Sequence, residues 1–276
     1  MHGRRIITVI LILPAFCIGV VWHYGVWFTA AFVYLFFILA RGEIYNLQGV
    51  IPHRSIPVWQ NLLALPFFFF TVLHRIDILL AVTFLFFCGS CLISMKNAIE
   101  GILSEIATHC LLLIYILFPL STFIFLRSLE NGGYFLFFTL AVACFTDIGG
   151  YYGGRRLGRL KLSPILSPNK TWEGTICGTL LTVVVTGVSA LYTNINNNST
   201  LWLPEPNCYL HILILTLIIS TIGQIGDLCE SAMKRDAGIK DSGSSVTGHG
   251  GALDMIDALL WIGPAMTVYV VTLISR

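Results

Sequence analysis

Apolar runs of membrane-crossing length dominate the chain, and short polar breaks separate them. A helix needs about 20 apolar residues to cross the hydrocarbon core. Against that length the pattern predicts spans near residues 6–21, 24–40, 58–73, 78–94, 106–126, 133–152, 175–192, 209–227 and 252–275. The fold class is therefore all-α, a polytopic integral membrane protein with about nine transmembrane helices and a polar cleft facing the cytoplasm.

Composition agrees. The chain is 56% hydrophobic and only 11% charged, with a mean hydropathy of +0.83, where soluble domains carry about 25% charged residues. A net charge of +2 gives no reason to expect nucleic acid as a partner, so the placement of the few charges matters more than their sum. Alternating the breaks from the N-terminus puts 13 of the 16 Lys and Arg residues on one side, among them Arg4, Arg41, Arg155, Lys170, Lys234 and Lys240. Only Arg75, Arg127 and Arg276 fall on the other. The positive-inside rule then predicts a cytoplasmic N-terminus and an external C-terminus. No small-residue cleavage site follows the first run, so it is read as a span rather than a signal peptide.

Eight cysteines lie mostly in or beside predicted spans, where a free thiol behaves as a small apolar group. Cys88 and Cys91 form an isolated C-x-x-C without a second pair, which gives no metal or redox signature. Acids are distributed unevenly, with nine of the fourteen occurring from Asp147 onward. Residues 1–132 accordingly read as a transmembrane scaffold and 133–276 as the catalytic region.

Two polar constellations carry the chemistry. In the first, Asp147 sits inside a predicted span, where an acid is costly and marks a functional site by default; a packing acid paired with Arg155 or Arg156 is the alternative. Glycines at 149, 150, 153 and 154 permit close backbone approach. The run Ser167-Pro-Asn-Lys170-Thr171-Trp-Glu173-Gly174 then offers a turn, a cation and a hydroxyl at the mouth of the next span, as a phosphate ligand requires. Glu173 caps that helix or serves chemistry.

In the second constellation, Asp227, Glu230, Ser231 and Lys234 recur at helical spacing on one face. The segment runs on through Arg235, Lys240 and Asp241 to Gly248-His249-Gly250-Gly251. Successive amides there, at the start of the last span, favour an anion. Asp254 and Asp257, three residues apart, supply hard oxygen ligands of the kind Mg²⁺ uses beside nucleotide phosphates. His249 reads as a phosphate-contacting residue, since no second His or Cys stands at ligand spacing.

These residues resemble the signature of the phosphatidate cytidylyltransferases, the CDP-diacylglycerol synthases. The matching elements are S-x-x-K-R-x-x-x-x-K-D-x-G from Ser231 to Gly243 and G-H-G-G-x-L-D-x-x-D from Gly248 to Asp257. Upstream, Asp147, Gly154 and Arg155 with S-P-x-K-T-x-E-G from Ser167 to Gly174 are similar to that family's second motif. Thr247 stands where the family has proline, and Met255 where it has arginine between the two acids.

The resemblance implies a reaction of CTP with phosphatidate at the bilayer, Mg²⁺ as cofactor, a homodimer, and a bacterial-type inner membrane location. It assigns catalytic roles to Lys170, Lys234, Arg235, Lys240, Asp241 and His249, and substrate contacts to Arg155, Ser167, Thr171, Gly248, Gly250 and Gly251. Metal contacts fall to Asp227, Ser231, Asp254 and Asp257. Other readings stay open: another CTP-dependent membrane enzyme, such as a polyprenol kinase or an ether-lipid cytidylyltransferase, and an ion-coupled transporter using the same acids.

Overall fold

A computed structural model describes residues 25–47, 58–97, 101–195, 208–243 and 250–274. The helices are α1 (Gly25–Leu47), α2 (Trp59–Val72), α3 (Ile76–Asn97), α4 (Ile102–Ser128), α5 (Gly132–Leu157), α6 (Trp172–Ile195), α7 (Cys208–Asp236) and α8 (Ala252–Tyr269). A hairpin of β1 (Lys161–Ser163) and β2 (Ser167–Thr171) joins α5 to α6.

Among the described residues seven helices are long and apolar enough to cross a membrane, so the chain is an all-α, multi-pass membrane protein. The eighth, α2, has 14 residues and is about 21 Å long at 1.5 Å per residue, short of a hydrocarbon core of about 30 Å. Eight of the predicted spans coincide with helices, while the span at 6–21 lies outside the described residues.

Serine and threonine in these apolar helices satisfy their hydroxyls on the preceding turn. Thr29 donates to the Gly25 carbonyl at 2.7 Å, and Ser90 and Thr139 do likewise to Phe86 and Phe135. In α4 a π-helical stretch, Leu112–Leu117, precedes Pro119. Proline has no N–H to continue the α ladder, and a π-bulge shifts the ladder's register at that point.

The chain divides into two compact units. The first comprises Met1–Gly133 with Met233–Ile256. Within it α1 packs against α2 and α4, burying Val33, Phe36, Phe37, Ala40 and Ile44. Tyr45 accepts a 2.7 Å hydrogen bond from the Gln60 amide. The end of α7 is closed by Gly238 at φ +70°, a left-handed conformation that glycine adopts without a Cβ penalty. The Ile239 amide bonds back to the Lys234 carbonyl at 2.9 Å, the closing bond of a Schellman-type terminus.

The second unit comprises Tyr134–Ala232 with Asp257–Arg276. There α5 and α6 cross at glycines: a Cβ on Gly149 would lie 2.8 Å from the Gly178 Cα, and one on Gly174 3.0 Å from the Gly154 Cα. Small residues four apart are what allow membrane helices to approach this closely. Hydroxyl pairs tie the same unit together, Thr146 with Thr182 at 3.0 Å, Thr179 with Ser220 at 2.9 Å and Thr186 with Thr216 at 3.1 Å.

Candidate active site

The polar break between α5 and α6 is the antiparallel hairpin, with Lys161 opposite Thr171 and Ser163 opposite Ser167. Its return strand delivers Lys170 and then starts α6. Thr171 is the N-cap, its hydroxyl oxygen accepting the Gly174 amide at 3.2 Å, the usual duty of a threonine at that place. Glu173 reaches back to the Leu160 amide at 3.1 and 3.2 Å, so it braces the hairpin against the helix start.

Beneath the hairpin, in the second unit, lies a cavity of about 530 Å³, within the usual range for small-ligand sites. Asp147, Arg155, Ser167, Lys170, Thr171 and Asp227 all line it. Residues 80 apart in sequence thus meet because α5, the hairpin and α7 each present one polar face there. The Lys170 ammonium pairs with the Asp227 carboxylate, and Arg155 lies 3.4 Å from the Tyr151 hydroxyl. Asp147 therefore opens into a cavity that holds a cation and a second carboxylate. Gln224 lines the same space and donates to the Thr179 hydroxyl at 3.1 Å; its polar position inside an apolar span was the signal that could have found it.

In the first unit, Lys234 and Asp254 form a second ammonium–carboxylate pair at 2.6 Å, with both side chains 12% exposed. Asp254 also accepts the Ser242 amide at 3.1 Å and the Gly251 amide at 2.8 Å. The latter bond is the reach-back half of a capping box at the start of α8. Gly250, at φ +92°, turns the chain into that start, and a Cβ there would lie 2.7 Å from Asp254 Oδ2.

At the described start of α8 the amides meet carboxylates of the protein itself. Gly251 N–H meets Asp254, and the Ala252 and Leu253 amides each donate at 2.8 Å to Glu43. The last span's N-terminal donors are thereby satisfied by the protein's own carboxylates, as buried helix ends require. Glu43 is the residue that sequence reasoning missed. It was assigned to a polar break, but α1 continues to Leu47, and Glu43 is 2% exposed. Its signal was an acid beside Arg41 at the end of an apolar run.

Other expected residues are placed as follows. Arg235 is exposed, donating to the Ile239 carbonyl at 3.0 Å, and Lys240 and Asp241 are exposed in the turn that follows α7. Ser231 is buried, and Asp257 accepts the Ala258 amide at 2.6 Å; neither lines the cavity. Gly248 and His249 lie outside the described residues.

The donor set of the cavity fits a hard divalent cation. Asp147 and Asp227 offer carboxylate oxygens there, and Mg²⁺ takes one or two such groups, completing its shell with water and substrate oxygens. Among the described residues no three His, Cys, Asp or Glu side chains gather as a metal site, so an all-protein cage is not formed from them.

Comparison with known proteins shows the family. Residues 3–273 match the model of the cytidylyltransferase family. A phosphatidate cytidylyltransferase of Bacillus subtilis is 35% identical over 225 residues, covering 80% of this chain and 78% of that protein. One from Staphylococcus saprophyticus is 38% identical over 142 residues, and one from Staphylococcus haemolyticus is 37% identical over 147. These staphylococcal matches span about half of each chain, 51% and 53% respectively.

Proposed function

Since the chain belongs to the cytidylyltransferase family, it is a membrane-embedded nucleotidyltransferase, and we propose that it transfers the cytidylyl group of CTP to phosphatidate. The products are CDP-diacylglycerol and pyrophosphate, in phospholipid biosynthesis. The observation that carries this reading is the convergence of Lys170, Arg155, Asp147 and Asp227 on one cavity. That is a cation-and-carboxylate set suited to polyphosphate and not to an apolar substrate.

In the reaction an oxygen of the phosphatidate monoester attacks the α-phosphorus of CTP. The bond from that phosphorus to the β-bridging oxygen breaks, and its electron pair leaves with pyrophosphate. The second pKa of a phosphate monoester is about 6, so the nucleophile is largely ionised at neutral pH and no strong base is needed. What the protein must overcome is repulsion between two polyanions, by placing cations and holding the reacting atoms in line.

Lys170 and Arg155 bear on the phosphates in the cavity, and the Ser167 and Thr171 hydroxyls donate to phosphate oxygens. Lys234, Arg235 and Lys240 supply further positive charge. Mg²⁺, held by Asp227 with support from Asp147, would neutralise phosphate charge and polarise the bond to the leaving group. Asp254, Asp257 and Ser231 are the proposal's alternative oxygen donors to Mg²⁺, and Gly248, His249 and Gly250 its further phosphate contacts. The cytoplasmic N-terminus, an inner-membrane location and a homodimer are part of the same proposal.

The test is product analysis. Purified protein, CTP labelled in the α-phosphate, phosphatidate and Mg²⁺ should yield a labelled lipid that retains cytidine. A phosphorylated polyprenol with the cytidine left in solution would replace this reading with the kinase.

A further inference from the structure

We propose that Glu43, from the apolar front of the chain, is a positioning residue for the reaction: its buried carboxylate holds Ser242 and the start of α8, Gly251 to Asp254, in working shape. This rests on the reading that Lys234 and Asp254 serve the reaction. One Glu43 oxygen accepts the Ala252 amide at 2.8 Å; the other accepts the Leu253 amide and the Ser242 hydroxyl, each at 2.8 Å. Asp254 in turn accepts the Ser242 and Gly251 amides, so the two carboxylates share neighbouring donors.

Two motif glycines report the same clamp. A Cβ on Gly243 would lie 2.8 Å from Glu43 Oε1, and one on Gly251 would overlap both Glu43 Oε2 and the Ser242 hydroxyl. Gly243 and Gly251 thus leave the room that the carboxylate fills. A carboxylate suits the place because it only accepts, and both of its oxygens face donors here. Glutamine would turn one oxygen into an NH₂ group pointing at an N–H or O–H, leaving a buried donor unpaired. Because Ser242 contacts Glu43 through its hydroxyl and Asp254 through its amide, a shift at Glu43 is passed to the carboxylate that pairs with Lys234.

The experiment compares wild type with Glu43→Gln, Glu43→Asp and Ser242→Ala, measuring kcat and KM for CTP, thermal stability, and hydrogen exchange of the Ala252 and Leu253 amides. Glu43→Gln should lower kcat by about tenfold with KM within about twofold, the signature of a transition-state effect. It should also speed exchange at both amides while the protein stays folded. Glu43→Asp, keeping an acceptor-only group, should recover most of the loss. Ser242→Ala should cost roughly threefold, the worth of one ordinary hydrogen bond, and it decides the matter if Glu43→Gln does not fold. An active wild type whose folded Glu43→Gln or Ser242→Ala variant keeps full kcat would overturn the positioning role, as would faster exchange without any loss of kcat. A wild type that makes no CDP-diacylglycerol would instead overturn the reaction on which the role depends.

Discussion

Lys170 offers the sharpest perturbation of the cavity. Its ammonium pairs with Asp227, and the two side chains are 29% and 28% exposed, so the pair is neither a surface ion pair nor a dry one. Exposed pairs contribute about 0–1 kcal/mol, while breaking a fully buried one costs about 3–5; the intermediate burial puts Lys170→Met at about 1–2 kcal/mol of stability. Methionine keeps most of the side chain's length and apolar stem, so packing against the hairpin changes little.

The catalytic loss should be separate and larger in consequence. Removing a cation that neutralises phosphate charge should lower turnover at least about tenfold, equivalent to ~1.4 kcal/mol of transition-state stabilisation. Pairing the variant with Asp227→Asn distinguishes the two effects, since coupled residues show it as non-additivity. In Lys170→Met/Asp227→Asn the unpaired charge is gone and stability should return toward wild type, whereas turnover should stay depressed. Steady-state assays in detergent with CTP varied, beside thermal denaturation of each variant, supply both numbers. Because Asp227→Asn is itself expected to be nearly inactive, the single variant decides the catalytic role: a folded Lys170→Met with turnover within about twofold of wild type would show that Lys170 is only a structural partner of Asp227.

The other expectations are more compact. Cysteines placed singly at positions 170 and 240 should be labelled only from the cytoplasmic face and one at 196 only from outside; labelling of 170 from outside would overturn the proposed orientation. Asp227→Asn should be nearly inactive, whereas Asp257→Asn should retain weak turnover that rises with added Mg²⁺; equal and normal Mg²⁺ dependence in both would remove Asp227 from the metal. Met255→Arg should raise turnover or lower the KM for phosphatidate in an already active protein. An inert wild type rescued by that change would mark the chain as a degenerate homologue.

Much of the fold was legible because apolar run length is a strong and nearly sufficient signal for membrane helices. What it could not give was where helices end. The run that stops at Ala40 continues as α1 to Leu47, because Arg41 and Glu43 find buried surroundings that a one-dimensional pattern cannot show.

Asp147, Arg155, Ser167, Lys170 and Thr171 of the first constellation line one cavity, and their legibility in sequence comes from polar residues standing in a costly place. Pairing was harder to see. Asp227 and Lys234 share a helical stripe in sequence, yet their ionic partners are Lys170 and Asp254, each brought in from another element. An anion is expected at the amides of Gly248 to Gly251; of these, the Gly251 amide meets Asp254, and the Ala252 and Leu253 amides that follow it meet Glu43. The contact from Glu43 spans 210 positions to Leu253, and no local pattern encodes a contact of that range.

The central claim is the reaction itself, and its most direct measurement follows the α-phosphate label of CTP in the presence of phosphatidate and Mg²⁺, with wild type and Asp227→Asn side by side. The account predicts a labelled CDP-diacylglycerol and one equivalent of pyrophosphate from the wild type, and almost none from the variant. Label that never enters lipid with the wild type, or that enters equally with both proteins, would contradict it.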